Sequence, residues 1–130
     1  MKDRIVQLIR CRKGAALALV VVSMLAVASA AAIAIDIGML VSARTDAQRA
    51  ADSAALAGAS AFIDDPTNAP TLAPARAEEY AEEHNVGTQP VALVPAEDVQ
   101  VIVDERRVRV TVRNIQARGN PMNTFFARVF

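Results

Sequence analysis

Few side chains in this sequence are of the kinds that catalyse reactions or hold metals. The single histidine, His84, stands beside Glu78, Glu79, Glu82 and Glu83. A metal site needs ligands that converge, such as histidines one helical turn apart or paired cysteines. Glu83 is adjacent to His84, while Glu79 and Glu82 are badly spaced to share an ion with it, so His84 reads as a surface residue at a helix end. The lone Cys11 excludes an internal disulfide. Arg10 precedes it and the apolar run follows it, the reverse of what lipid attachment needs. The sequence contains no glycine-rich phosphate loop and no cysteine pair, and a serine nucleophile would have no base except His84. No catalytic residue, cofactor site or metal site is assigned. Alternating arginines at Arg107, Arg109 and Arg113 are a pattern that nucleic acid can select. The location derived below argues against nucleic acid and leaves a solvated sheet face or a surface for an acidic partner.

The elements behind these residues begin with a membrane segment. Gly14 to Ile35 is a run of 22 residues with no charge and only two polar side chains, the small Ser23 and Ser29. At about 1.5 Å per residue it makes a helix of roughly 33 Å, enough to cross a hydrocarbon core of about 30 Å. A buried core helix would need a surrounding domain that 130 residues do not supply. Lys2, Arg4, Arg10, Arg12 and Lys13 precede the segment and Asp36 is the first charge after it. The positive-inside rule then keeps the N-terminus in the cytoplasm and carries residues 36–130 across the membrane. Ala28-Ser29-Ala30 matches a signal-peptide cleavage pattern, but the apolar helix runs on through Ala31 to Ile35. A retained anchor is the favoured reading, and a secreted small binding protein released by cleavage near Ala30 is an alternative.

Beyond Asp36 no proline interrupts the chain as far as Ala61 and alanine dominates, so one continuous helix is expected from about Lys13 to Ala61. Ile37, Leu40, Ala47, Ala51, Ala54, Gly58 and Phe62 recur at helical spacing and draw one apolar stripe. Two small-residue rows, Ala47/Ala51/Ala55 and Ala50/Ala54/Gly58, let another backbone approach closely. That face packs either on the protein's own domain or on another subunit, as a homo- or hetero-oligomer; both readings stand. Asp36 is either a charge at the lipid boundary or a registry contact with a cation on a neighbouring membrane helix.

The same residues carry a resemblance. Arg12-Lys13-Gly14 leads into the alanine-rich helix; Asp36-Ile37-Gly38 and Ala43-Arg44-Thr45 follow, then Ala47-Gln48-Arg49-Ala50-Ala51-Asp52-Ser53-Ala54-Ala55-Leu56-Ala57-Gly58-Ala59. Over residues 10–62 this joint pattern resembles the N-terminal region of TadG-like proteins (the TadE/TadG-like group) of the Tad, or Flp-type, pilus-assembly system. The resemblance implies an inner-membrane accessory protein of pilus biogenesis in a bacterium. Its partners would be the lipid bilayer and other pilus-assembly membrane proteins, met by helix packing and without catalysis. Asp36, Gly38, Arg44, Gln48, Asp52 and Gly58 are the residues expected to interact. Type IV pilins carry a glutamate five residues after their cleavage glycine, whereas the fifth residue after Gly14 is Leu19. An accessory role is therefore favoured over a pseudopilin processed after Gly14 and built into a fibre, which remains an alternative.

Residues 63–74 contain three prolines and read as a linker. Ala75 to His84 reads as a short acidic helix that starts on Pro74, ends near Asn85 and Gly87, and turns Ala77 and Tyr80 inward. Val99–Val103 and Arg107–Arg113 read as two strands joined at Asp104–Arg106, the second with strict alternation of Val108, Val110 and Val112. A hairpin alone is marginal in water and must pack on a helix. Asn123 to Phe130 begins a further apolar element, and the end on phenylalanine points to truncation or to a short form that needs a partner strand or helix. The expected architecture is α+β: a cytoplasmic basic segment (1–13), a transmembrane helix (14–35), its extracytoplasmic extension (36–62), the linker (63–74) and a small domain (75–130) of one short helix and a β-hairpin.

Overall fold

The computed structural model describes residues 2–114 together with Gly119 and Phe126, with side chains described from Gly14 onward. The expected element at 123–130 falls outside the described residues except at Phe126. The chain forms two compact units, residues 1–37 with 125–130, and residues 38–124.

Helix α1 (Lys2–Asp64) runs longer than expected at both ends. Its basic N-terminal residues are good helix formers, and the helix stops only where Asp65 meets Pro66, whose ring disfavours helical backbone in the residue before it. In the first unit, no side chain between Gly14 and Ile35 is buried, and large apolar groups such as Leu25 (63% exposed) and Val27 (69%) face outward. The helix from Gly14 is long and apolar enough to cross a membrane. Its hydroxyls are consumed internally: Ser23 donates to the carbonyl of Leu19 and Ser29 to that of Leu25, at 2.8 Å for the latter. Such back-bonding leaves no polar side chain unpaired on an apolar surface.

In the second unit the α1 residues are followed by α2 (Ala69–Glu82), β1 (Asn85–Val86), β2 (Gln89–Pro90), α3 (Pro95–Asp98), β3 (Val99–Ile102) and β4 (Arg107–Val110). Helix α2 corrects the linker reading, because it begins six residues earlier than expected and holds Pro70 and Pro74 within it. Pro70 sits in the first turn, where its missing N–H costs nothing. Pro74 forfeits one bond, to the carbonyl of Pro70, but Ala69, Ala73, Ala77 and Ala81 lie one turn apart and are all fully buried, so packing on one face outweighs that loss. Asn68 takes the N-cap position yet turns its side-chain amide back to Asp65 (2.8 Å). Asp65 is thereby held below its ordinary carboxylate pKa, first by the Asn68 amide and then by the Asn68 backbone N–H. Tyr80, expected inward, is 47% exposed, whereas Ala77 is buried as expected. The spacing explains both: the inward row is Ala73/Ala77/Ala81, and Tyr80 lies off it.

Gly87 does not end α2. It adopts φ +62° in the two-residue turn between β1 and β2, a conformation in which glycine has no steric penalty. The expected β3–β4 hairpin is present in antiparallel register, with Val99 opposite Val110 and Val101 opposite Val108. Its four-residue connection, Val103 to Arg106, is closed by the Arg106 N–H donating to the Val103 carbonyl (3.1 Å). Both strands are shorter than the sequence suggested. The core is built largely from small residues: Ala50, Ala54 and Ala61 of α1, the four alanines of α2, and Val86, Val91, Leu93, Val99 and Val108.

Candidate functional site

The apolar stripe of α1 is rotated from its expected position. In the second unit the buried α1 residues are Ala43, Ala50, Ala54, Gly58, Ala61 and Phe62, while Leu40 is 45% exposed; in the first unit Ile37 is 55% exposed. Spacings of three and four carry a narrow strip of small side chains, and the larger Ile37 and Leu40 fall off it. Gly58 lies at the closest approach. A Cβ added there would lie 3.0 Å from the Ala73 carbonyl oxygen and 3.1 Å from Cγ1 of Val108. The row Ala50/Ala54/Gly58 is thus occupied by the chain's own α2 and hairpin. Arg76 of α2 reinforces this contact, donating to Ser60 Oγ (2.9 Å) and pairing with Asp64.

The second row, Ala47/Ala51/Ala55, has a different fate. All three residues are half-buried, and they line a groove of about 460 Å³ between α1 and β4. The helix contributes one face to it, Arg44, Ala47, Gln48, Ala51, Asp52 and Ala55, in which the Gln48 amide donates to Asp52 (2.9 Å). From the strand, every residue from Arg107 to Val112 borders the groove. Consecutive strand residues point to opposite faces, so a groove bordered by all of them runs along the strand's edge. Three of the expected interaction residues, Arg44, Gln48 and Asp52, therefore meet in one feature with β4, although they were assigned from the helix alone.

The remaining expected residues are placed apart. Asp36 is 7% exposed and accepts the Phe126 backbone N–H at 3.1 and 3.3 Å, a contact within the first unit. Gly38 is exposed, and a Cβ added to it would meet nothing within 4 Å. His84 follows the end of α2, where its carbonyl accepts the Val91 N–H (3.0 Å). Among the described residues no cluster of histidine, cysteine and carboxylate side chains is arranged to hold a metal ion.

Sequence reasoning missed one cluster. Asp98, at the end of α3, is 1% exposed, accepts the Val94 N–H at 2.9 Å and faces Arg113 at 3.5 Å. It ties the start of α3 to the strand side of the domain. The available signal was Pro95 followed by Glu97 and Asp98, proline at a helix start with acids in the first turn.

Comparison with known proteins bears on the helix alone. No curated protein and no solved structure gives a significant match. The family described as Tad, putative Flp pilus-assembly TadE/G-like, matches residues 14–61, a span that opens with the uncharged apolar run and closes within the Gly58 contact. Over that span the chain is similar to the TadE/G-like Flp pilus-assembly family.

Proposed function

We propose that this chain is a single-pass, membrane-anchored accessory protein of Tad/Flp-type pilus assembly that acts by presenting helix and sheet surfaces to other assembly proteins and performs no catalysis. The observation that carries this reading is the coincidence of the family match with one helix whose first half is apolar and exposed and whose second half is a packing strip. Basic residues before Gly14 and an acid at Asp36 favour a cytoplasmic N-terminus and an extracytoplasmic domain at the bacterial inner membrane. Arg44, Gln48 and Asp52 are the residues best placed for a partner, with Asp36 and Gly38 as further contacts. The surroundings of Gly58 give it a packing role within the domain, so its substitution tests folding first.

Deletion of the gene is expected to abolish piliation, and the full chain is expected to restore it. The charge-reversed double variant Arg44→Glu, Asp52→Lys should restore neither pili nor adherence while accumulating normally in membranes. Normal piliation in the deletion strain would sink the proposal. The intact mass of the native protein separates the alternatives: a product starting at Met1 supports the anchor, one starting at Ala15 a processed pseudopilin, and one starting at Ala31 a secreted protein.

A further inference from the structure

The groove between α1 and β4 has the chemistry of a strand-binding site. Thr111 N–H donates to the Asp98 carbonyl (2.9 Å), which together with the register makes Gln100/Arg109 and Ile102/Arg107 the hydrogen-bonded pairs of the hairpin. The N–H and C=O groups of Val108 and Val110 therefore point away from β3, toward the edge that borders the groove. Among the described residues nothing pairs with them. An unpaired strand edge is a template for one more strand, and opposite it Ala47, Ala51 and Ala55 are too small to fill the space.

Charge decides what kind of strand fits. Arg44 and Arg109 border the groove without an ion pair among the described residues, while Arg107 is held by Glu105 at 2.7 Å and Asp52 by Gln48. A second copy of this edge is disfavoured, because pairing Val108 with Val110 or with itself sets Arg109 opposite Arg109 or Arg107, pairing Val110 with itself sets Arg107 opposite Arg113, and like charges directly opposite destabilise a ladder. The same arginines that block self-pairing select an acidic strand. We infer that this groove binds an extended segment of another protein that alternates apolar side chains, turned toward the valines and alanines, with acidic side chains turned toward Arg109. The inference rests on the reading of the chain as an interaction protein, but its test needs no pilus.

The full chain in detergent micelles is titrated with two fluorescent eight-residue peptides, one alternating valine with glutamate and the other valine with lysine. The glutamate peptide is expected to bind at least about ten-fold more tightly, and Arg109→Glu to reverse that order. Hydrogen exchange at the Val108 and Val110 amides should slow on binding. Equal affinities, an order unchanged in Arg109→Glu, or protection appearing elsewhere would each overturn the inference. So would amides already protected without peptide: concentration-dependent protection would put a second copy in the groove, and concentration-independent protection a segment of the same chain. Piliation lost on gene deletion, with no peptide bound, would remove the groove assignment and leave the proposed function standing.

Discussion

Residues 14–35 and residues 43–62 belong to one helix and have opposite relations to their surroundings. The first stretch carries leucine, valine, isoleucine and methionine, and these large side chains are exposed. The second buries alanines, a glycine and, at its end, Phe62, while Leu56 stays 75% exposed and the adjoining Ile63 84%. Size explains the inversion. Large apolar groups gain most by filling an apolar solvent, whereas a helix that must admit a second backbone keeps only small groups at the contact. A core of alanines yields little apolar area per residue, so its stability rests on close approach, hydrogen bonds and the few larger side chains at Phe62, Val86, Val91, Leu93, Val99 and Val108.

The sharpest way to break this comparison is to make the first stretch polar. Arginine at both Val21 and Leu25 is expected to abolish membrane retention, since each costs about 2.5–3.5 kcal/mol at the centre of a spanning helix; fractionation with alkaline extraction measures it. Arginine at Leu56 and Ile63, equally apolar but exposed in the second unit, should leave retention unchanged and shift stability by less than about 0.5 kcal/mol.

Close approach is tested next by Gly58→Leu, which forces side-chain atoms into the Ala73 carbonyl and Val108. A loss of about 3 kcal/mol is expected in denaturant unfolding of the detergent-solubilised chain. Gly58→Ala should cost far less, because its gain in helix propensity of about 1 kcal/mol offsets part of the clash. Asp98→Ala leaves the Val94 N–H without its acceptor, for an expected loss of about 1–3 kcal/mol in the same assay. Tyr80→Ala, at an exposed position, should change unfolding by less than about 0.5 kcal/mol.

The smallest effect concerns pH. Asp65 is depressed in the folded chain, so its contribution is fully present above the unfolded value of 3.8 and is lost as pH falls through the lower folded value. Asp65→Asn should remove only that increment, seen as a slightly shallower decline of thermal midpoint between about pH 5 and pH 2.

Much of this was legible in advance. The absence of proline before Pro66 announces α1, the uncharged run from Gly14 announces a helix suited to lipid, and the alternation of Val108, Val110 and Val112 announces a strand with one buried face. These patterns are local, and each expresses a backbone periodicity that neighbouring residues impose on one another. The groove was half-legible: Arg44, Gln48 and Asp52 stood out on the helix, but the strand edge facing them did not, because the pairing of β4 on one side only is a property of the assembled sheet.

What remained hidden was decided by contacts between distant residues. Pro70 and Pro74 argue against a helix until Ala69, Ala73, Ala77 and Ala81 find a surface to cover. Both small-residue rows of α1 look equivalent in the sequence, and only the seating of α2 and Val108 against Gly58 assigns one to the core and leaves the other open. Asp98 reads as an ordinary surface acid until Arg113 and the Val94 N–H close around it. The sequence by itself determined the periods, the breaks and the lipid-length run, since these depend on residues within a few positions of one another. Which face is covered, and by what, was left to the tertiary structure, because burial is settled between segments that the chain brings together only on folding.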